Sequence, residues 1–557
     1  MYSLSRLNRS RLQRLFAIAG LAALATAQGP VPPIAPAPTG NPVTTAKANL
    51  GKILFWDEQL SSNGTVACGT CHVPSAGGSD PRTGTSGIGS VHPGVDHNFG
   101  TPDDIHGSLG LTRTLSDGSY DLAPDFRLQR QVTRRRSQGV INSGFLPRQF
   151  WNGRAEGSFD DPITGAVVIA QGASLEIQCL EPVVSDAEMS HVGRNWSEAA
   201  QRIAASTPLR LATNIPAALS TWMGGRTYSA LFEEAFGKGA VTPVRIAMAI
   251  ASYERTLCSN QSPFDQFLGG NSNALTPLEQ QGVQVFNGPG RCNSCHSGPL
   301  QTDGVFHYTG VRPRSEDRGR ALETGLANDI GAMKTPSLRN VELRAPYFHN
   351  GSMSSLSDVI DFYDRGGDFS AVNKPPSVSP IGLSAQQKAA LLAFLTRPLT
   401  DPRVAAGTAP FDRPTLFSET NTVPAHYGAP TTGSGGFAPQ LVTFEPAPIG
   451  NPGWTVGIDH GNAGKEAILI RGPIQSLAGS PFQGAMLHVD LGVGAQVLRI
   501  GGLHGLGAGD GWSSASVAIP NNALLHGQQF FAQWLVLDPQ GGGKRLAASD
   551  AVAVTYW

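Results

Sequence analysis

The chain has no run of about 20 apolar residues, the length a membrane-spanning helix needs. Its longest apolar stretch, Leu15 to Leu24, is too short for a comfortable span. Charge of one sign is also missing. Lys and Arg number 41 against 42 Asp and Glu, so no basic face announces nucleic acid and no acidic tail announces a basic partner. Cysteine is scarce. Of six in 557 residues, four fall in two short motifs, and only Cys179 and Cys258 remain for a disulfide. In an exported chain such a pair is either joined or left as two buried thiols. Glycine and proline, by contrast, are plentiful at 67 and 41, and they predict long ordered loops.

The length suggests three or four units. Arg6, Arg9, Arg11 and Arg14 precede the apolar stretch, and Ala25-Thr26-Ala27 follows it. That order reads as a cleaved signal peptide over 1–27, with an uncleaved anchor as the alternative. The expected location is therefore periplasmic or secreted. Residues 28–44, rich in Pro and Ala, read as a flexible leader. A first unit is expected over 45–270. It has a helix around Leu50 to Phe55, a Gly/Pro-rich loop at about 76–120, and a helix opened by Thr242-Pro243. A second unit is expected over 271–405. Thr276 and Glu279 form a capping box there, and a last helix starts near Ser384. Beyond about 410, Ala467–Ile470, Met486–Val489, Phe530–Leu537 and Ala551–Val554 read as strands between turns. The fold class is mainly α, two helical units followed by a C-terminal all-β sandwich-like domain at 410–557.

Two Cys-x-x-Cys-His motifs carry the chemistry: Cys68-Cys71-His72 and Cys292-Cys295-His296. Two thiols three apart on a helix face one side, so each can form a thioether to a haem vinyl group, and the following His faces the iron. A thioredoxin-type pair would need a βαβ context, and a zinc ion could share ligands between the motifs. Two motifs, each behind a predicted helix in an exported chain, favour two covalently bound c-type haems. The sixth ligands decide what such haems do. Met raises the iron's potential, and an open position suits activation of peroxide or oxygen. Met333 and Met353 follow the second motif. His92, His97 and His106 follow the first, where a solvated side chain is the competing reading for each.

At this point the chain resembles the bacterial di-haem cytochrome c peroxidases and relatives such as MauG. The likeness rests on Leu50-Gly51-Lys52-Ile53-Leu54-Phe55, on Gln149 to Ala155 (Phe-Trp-Asn-Gly-Arg-Ala for the family's F-W-D-G-R-A), and on Gln178, Pro182 and Glu188-Met189. It also rests on Lys334 to Asn340 and on Ala345 to Gly351. It spans about 45–402 and implies two cytochrome c-like domains with haems facing a shared interface. It further implies a small electron donor, a cytochrome c or a cupredoxin, feeding the C-terminal haem. That haem would have His296 and Met353 as ligands, and hydrogen peroxide would be reduced at the N-terminal haem. A calcium ion between the haems is also implied. As the motif is read, the family's catalytic Glu falls just before Gln178, at Ile177. This leaves Glu176, or Asp160 and Asp161 of an inserted segment at 157–173, as catalytic candidates. The inter-haem Trp is expected near Thr133 to Arg136, where none occurs, with Trp56 and Trp151 nearest in sequence. The Arg run there would bind haem propionates, hold a calcium-free interface, or lie solvated.

Three functions compete on these residues: a peroxidase, a related di-haem oxidase or oxygenase with another substrate, and a non-enzymatic electron carrier.

Overall fold

The computed structural model describes residues 30–82, 90–541 and 544–557. The expected signal peptide lies outside the described residues. No helix among the described residues is long and apolar enough to cross a membrane.

The first unit is built on α1 (Thr45–Trp56), α2 (Ser174–Leu180), α3 (Tyr228–Phe236) and α4 (Pro243–Glu254). Thr44 and Thr242 accept from backbone N–H groups in the first turns of α1 and α4, satisfying donors that have no partner within the helix. The two helices touch backbone to backbone at Gly51, where a Cβ would lie 1.9 Å from the Ala249 carbonyl oxygen. Leu50, Ile53 and Leu54 pack there against Ile246, Ile250 and Tyr253.

The stretch expected as a flexible leader departs from that reading. Val31, Ala35 and Asn41 are buried. The chain is tied down by Ala35 N–H to Arg255 O, by Arg255 Nε to Pro36 O, and by Asn260 Nδ2 to Val31 O. Composition alone reads as a linker, but its partners sit more than 200 residues away.

The second unit uses α5 (Pro277–Asn287), α6 (Leu356–Asp364) and α7 (Ala385–Leu395). The capping box is present: Glu279 N–H donates to Thr276 Oγ1 and Thr276 N–H to Glu279 Oε2. Glu279 also pairs with Arg397, fastening the start of α5 to the end of α7. The core of this unit takes in Phe264, on the N-terminal side of the expected boundary. Val404, Phe411 and Leu416 cross back to the first core.

The C-terminal unit contains β1 (Ala425–Tyr427), β2 (Gln440–Val442), β3 (Trp454–Asn462), β4 (Glu466–Gly472), β5 (Gln475–Phe482), β6 (Ala485–Val489), β7 (Gln496–Gly502), β8 (Ala508–Val517), β9 (Gln529–Gly541) and β10 (Lys544–Thr555). A five-stranded antiparallel sheet runs β7-β4-β9-β10-β1, and a three-stranded one runs β2-β3-β8. Their facing sides share one core, with Trp454, Val456 and Ile458 against Leu469, Trp534 and Val552, which is sandwich packing. The β5–β6 hairpin covers the outer face of the larger sheet. This unit grips the first one. Arg127 pairs with Asp459 and Asp510, Tyr120 and Leu128 pack on Val442, and the buried Glu58 carboxylate accepts from the backbone N–H of Phe417 and Ser418.

Candidate active site

Cys68–Cys71 forms a single helical turn after α1. Trp56 packs directly on it, and a Cβ on Gly69 would meet the Trp56 ring at 2.2 Å. Trp56 is therefore a fully buried wedge beneath the motif, its Nε1 3.3 Å from the Tyr253 hydroxyl. His72 Nδ1 lies 3.1 Å from the Gly78 carbonyl oxygen. A carbonyl only accepts, so Nδ1 carries the proton and Nε2 keeps its lone pair for a metal. His296 repeats the device, with Nδ1 3.1 Å from the Gln301 carbonyl. Burial pushes the His296 imidazole down to about 4 and also lowers that of His72, keeping both rings neutral as ligands must be.

Each motif opens on its own cavity. Cys68, Cys71 and His72 line the first, and Cys292, Cys295 and His296 line the second. The two share a wall made of Arg136 to Gly139, Trp151 and Asp317. Trp151 is held in that wall by its Nε1, which donates to Arg136 O at 2.8 Å, and its ring lies 6.2 Å from that of His349. The aromatic between the cavities is thus Trp151 and not Trp56. Asn152, where the family pattern has Asp, donates from Nδ2 to Glu323 at 2.7 Å. A carboxylate there would face a like charge. Paired thiols, a neutral His with a fixed tautomer, and a largely apolar, partly open cavity at each motif fit a c-type haem. The one group of metal-ligand side chains among the described residues, Cys295, Asp303 and His307, includes a motif thiol, and its Cys295 and His307 line the second cavity.

The first cavity sorts the catalytic candidates. Leu175, Gln178 and Cys179 line it from one face of α2, at i, i+3 and i+4, and Pro182 lines it from the turn that follows. Glu176 is on another face. It is fully buried, and Arg255 Nη1 and Nη2 bond its two oxygens at 2.8 and 2.9 Å, with Asn41 Nδ2 at 2.7 Å. Glu176 is a structural ion-pair partner and is absent from the cavity lining. Asp160 and Asp161 sit on a surface hairpin formed by Phe159–Asp160 and Val167–Ile169. Only the apolar Phe159 and Ile169 of that hairpin enter the core, and neither Asp lines the first or the second cavity. Glu188 does line the first cavity, half-buried, with Gln178 and Pro182. Burial raises its pKa, while a hydrogen bond from Ser185 and the nearby Arg154 oppose the rise. In the sequence Glu188 stands out only as part of the Gln178–Pro182–Glu188-Met189 motif, and the family's catalytic position is expected at Ile177. The cavity places the carboxyl ten residues after Gln178 instead. Glu254, also buried in this cavity, is pushed up to about 8 by burial.

The loop histidines separate. His92 lines the first cavity and accepts through Nδ1 from Gly94 N–H. His97 is exposed and pairs with Asp125 at 2.9 Å. His106 sits in a small surface cleft beside Met353. Met353 is in that cleft and not in the second cavity, which corrects its expected place opposite His296. The second cavity is lined by Leu356, Val359, Ile360 and Tyr363 of α6, at i, i+3, i+4, i+7, and by Met333. Burial beside Cys295 and Cys292 raises the Tyr363 phenol pKa. An apolar helix stripe ending in a Tyr was the signal available for it. Cys179 and Cys258 are separate free thiols. Cys179 faces the first cavity, and Cys258 Sγ donates to Arg255 O at 3.3 Å, so of the two alternatives the chain has the separate buried thiols and not the disulfide.

Two helical units, each with a Cys-x-x-Cys-His motif on its own cavity and one wall in common, define a di-haem c-type oxidoreductase. Residues 45–273 match the family model described as di-haem cytochrome c peroxidase. The chain is 29% identical over 461 residues to the cytochrome-c peroxidase IdrP1 of Pseudomonas sp. (strain SCT), covering 75% of this chain and 99% of that one. It is 30% identical over 370 residues to the methylamine utilization protein MauG of Methylorubrum extorquens, covering 65% and 81%. A solved structure of a MauG-like protein associated with microbial copper homeostasis aligns with 27% identity and a TM-score of 0.48, over 68% of this chain and 96% of that one. The chain belongs to the di-haem cytochrome c peroxidase family, in which MauG also falls, and is a peroxidase-type oxidoreductase with covalently bound haem c.

Proposed function

We propose that this chain reduces hydrogen peroxide to water, taking electrons from a small donor protein, a cytochrome c or a cupredoxin. The electrons enter at a haem on Cys292, Cys295 and His296 and are used at a haem on Cys68, Cys71 and His72. The net step consumes peroxide, two electrons and two protons and yields two waters. A haem held by Cys68, Cys71 and His72 would supply a redox iron for the reduction of peroxide. The protein's own residues do the rest. O–O cleavage needs a proton moved from one peroxide oxygen to the other. Glu188, with its carboxyl in the first cavity and its pKa raised by burial, is the group to move it, and Gln178 beside it orients the peroxide by hydrogen bonding. Trp151, its N–H fixed in the shared wall, offers an aromatic step between the cavities. An exported location, periplasmic or secreted, fits covalent haem attachment and the signal-type segment 1–27. The observation that carries the reading is the sorting of the carboxylates: Glu188 faces the cavity, whereas Glu176 is locked by Arg255.

Tyr363 favours a second reading, a MauG-like oxidase acting on another substrate. A thioether ligand raises an iron's potential and suits electron entry. A phenol oxygen from Tyr363 is a harder donor and lacks that effect.

The test is to half-reduce the haem-loaded protein and add peroxide with and without a reduced cytochrome c. Rapid donor oxidation is expected. A long-lived oxidised spectrum without donor turnover would overturn the peroxidase reading in favour of the second.

A further inference from the structure

Arg136 is 5% exposed and stands in the wall common to both cavities. Among the described residues its guanidinium donates to four backbone carbonyl oxygens. Nη1 reaches Arg344 O and Pro346 O. Nη2 reaches Ala345 O at 2.9 Å and Asp80 O at 3.2 Å. Asp80 belongs to the first unit and residues 344–346 to the second, so one cation joins both. Its own backbone continues the joint: the N–H donates to His349 O at 2.7 Å, and the carbonyl accepts from Trp151. Arg135 next to it pairs with Asp317 at 2.5 and 2.6 Å.

Carbonyl oxygens converging from separate segments are the donor set that a hard divalent cation takes. Four such dipoles aimed at one point repel one another unless positive charge sits among them. Here a planar fork with five N–H donors fills that place. Burial and the neighbouring Arg344 push its pKa down to about 10, which leaves it charged at neutral pH. The residues at the junction therefore do not fit the calcium ion that the family resemblance implied.

We propose that Arg136 is the resident cation of the inter-haem junction, so that the assembly of the two units is independent of calcium. Removing the guanidinium converts its carbonyl cage into a calcium site. Arg136 is a positioning residue, and this role holds for either reading of the substrate.

The experiment uses the haem-loaded full chain. Bound calcium is measured by atomic emission, and thermal midpoints are recorded in EDTA and in calcium chloride. Wild type is expected to carry no stoichiometric calcium and to melt alike in both. Arg136→Ala is expected to melt lower in EDTA and to recover most of the loss in calcium chloride, with one calcium bound. Stoichiometric calcium in wild type, or a fall of its midpoint in EDTA, would overturn the proposal. So would an Arg136→Ala protein whose midpoint calcium does not raise. If Arg136→Ala fails to assemble, Arg136→Lys takes its place. Its retained charge predicts calcium indifference, a calcium-raised midpoint would contradict the proposal, and the wild-type arm decides independently.

Discussion

The indole N–H of Trp151 donates to the carbonyl oxygen of Arg136 at 2.8 Å, in the one wall that the two cavities share. The bond sets the ring's orientation between the motifs. Trp151→Phe keeps an aromatic body and loses only the N–H anchor and the indole. The expected outcome is unchanged spectra of both haems with slower electron passage from the second to the first. Stopped-flow oxidation of the reduced second haem by peroxide measures this directly.

Glu176 and Arg255 are both buried, with side-chain exposures of 0% and 2%. Glu176→Ala leaves the guanidinium without its charge partner and is expected to destabilise the fold by about 3–5 kcal/mol. It also loosens the 31–41 strap, because Asn41 bonds the same carboxylate and Arg255 holds Pro36. Urea unfolding checks the stability. Peroxide cleavage per folded, haem-loaded molecule is expected to stay at the wild-type rate.

Glu58 carries a pH dependence. Burial raises its carboxyl to about 7, opposed by bonds from Ser418 and Phe417. Its folded pKa is above the ordinary 4.5, so the native state holds a proton that the unfolded chain releases. The stability it confers is complete below pH 4.5 and falls as pH rises through 7, by about 3 kcal/mol in all. Glu58→Gln removes that component. Urea midpoints at pH 5 and pH 8 are expected to differ less in the variant than in wild type.

The second cavity yields a spectroscopic pair. Tyr363→Phe is expected to change the absorption and electron paramagnetic resonance of the second haem alone. Met353→Leu, in the outer cleft with His106, is expected to leave both unchanged. A spectral change in Met353→Leu would restore Met353 as the ligand.

How much of this was legible in the sequence follows from the range of the interactions. The thiol and His positions, and the caps at Thr242, Thr276 and Ser384, depend on neighbours within four residues, and local spacing shows them. The strand-rich region after 410 was visible in its short apolar runs between turn signals. Other features depend on partners far along the chain. Residues 31–41 look like a linker until Arg255 and Asn260 are placed beside them. Glu176 looks available until Arg255, 79 residues on, meets it. Met353 is near the right motif in sequence, yet it precedes α6, and that helix turns Tyr363 into the cavity instead. Trp151 lies more than 70 residues from either Cys-x-x-Cys-His motif, and only the fold brings both cavities to it. The Cys179 and Cys258 thiols were the last two by count, and counting says nothing of where they point.

The central claim, that Glu188 moves the peroxide proton at the first cavity, is tested by single-turnover cleavage of hydrogen peroxide in Glu188→Gln beside Glu176→Gln, both haem-loaded and half-reduced. Losing an acid–base group predicts a fall of about 10²–10⁴-fold for Glu188→Gln and a near-wild-type rate for Glu176→Gln. A Glu188→Gln protein that cleaves peroxide at the wild-type rate would contradict the account, most plainly if Glu176→Gln were the slow one.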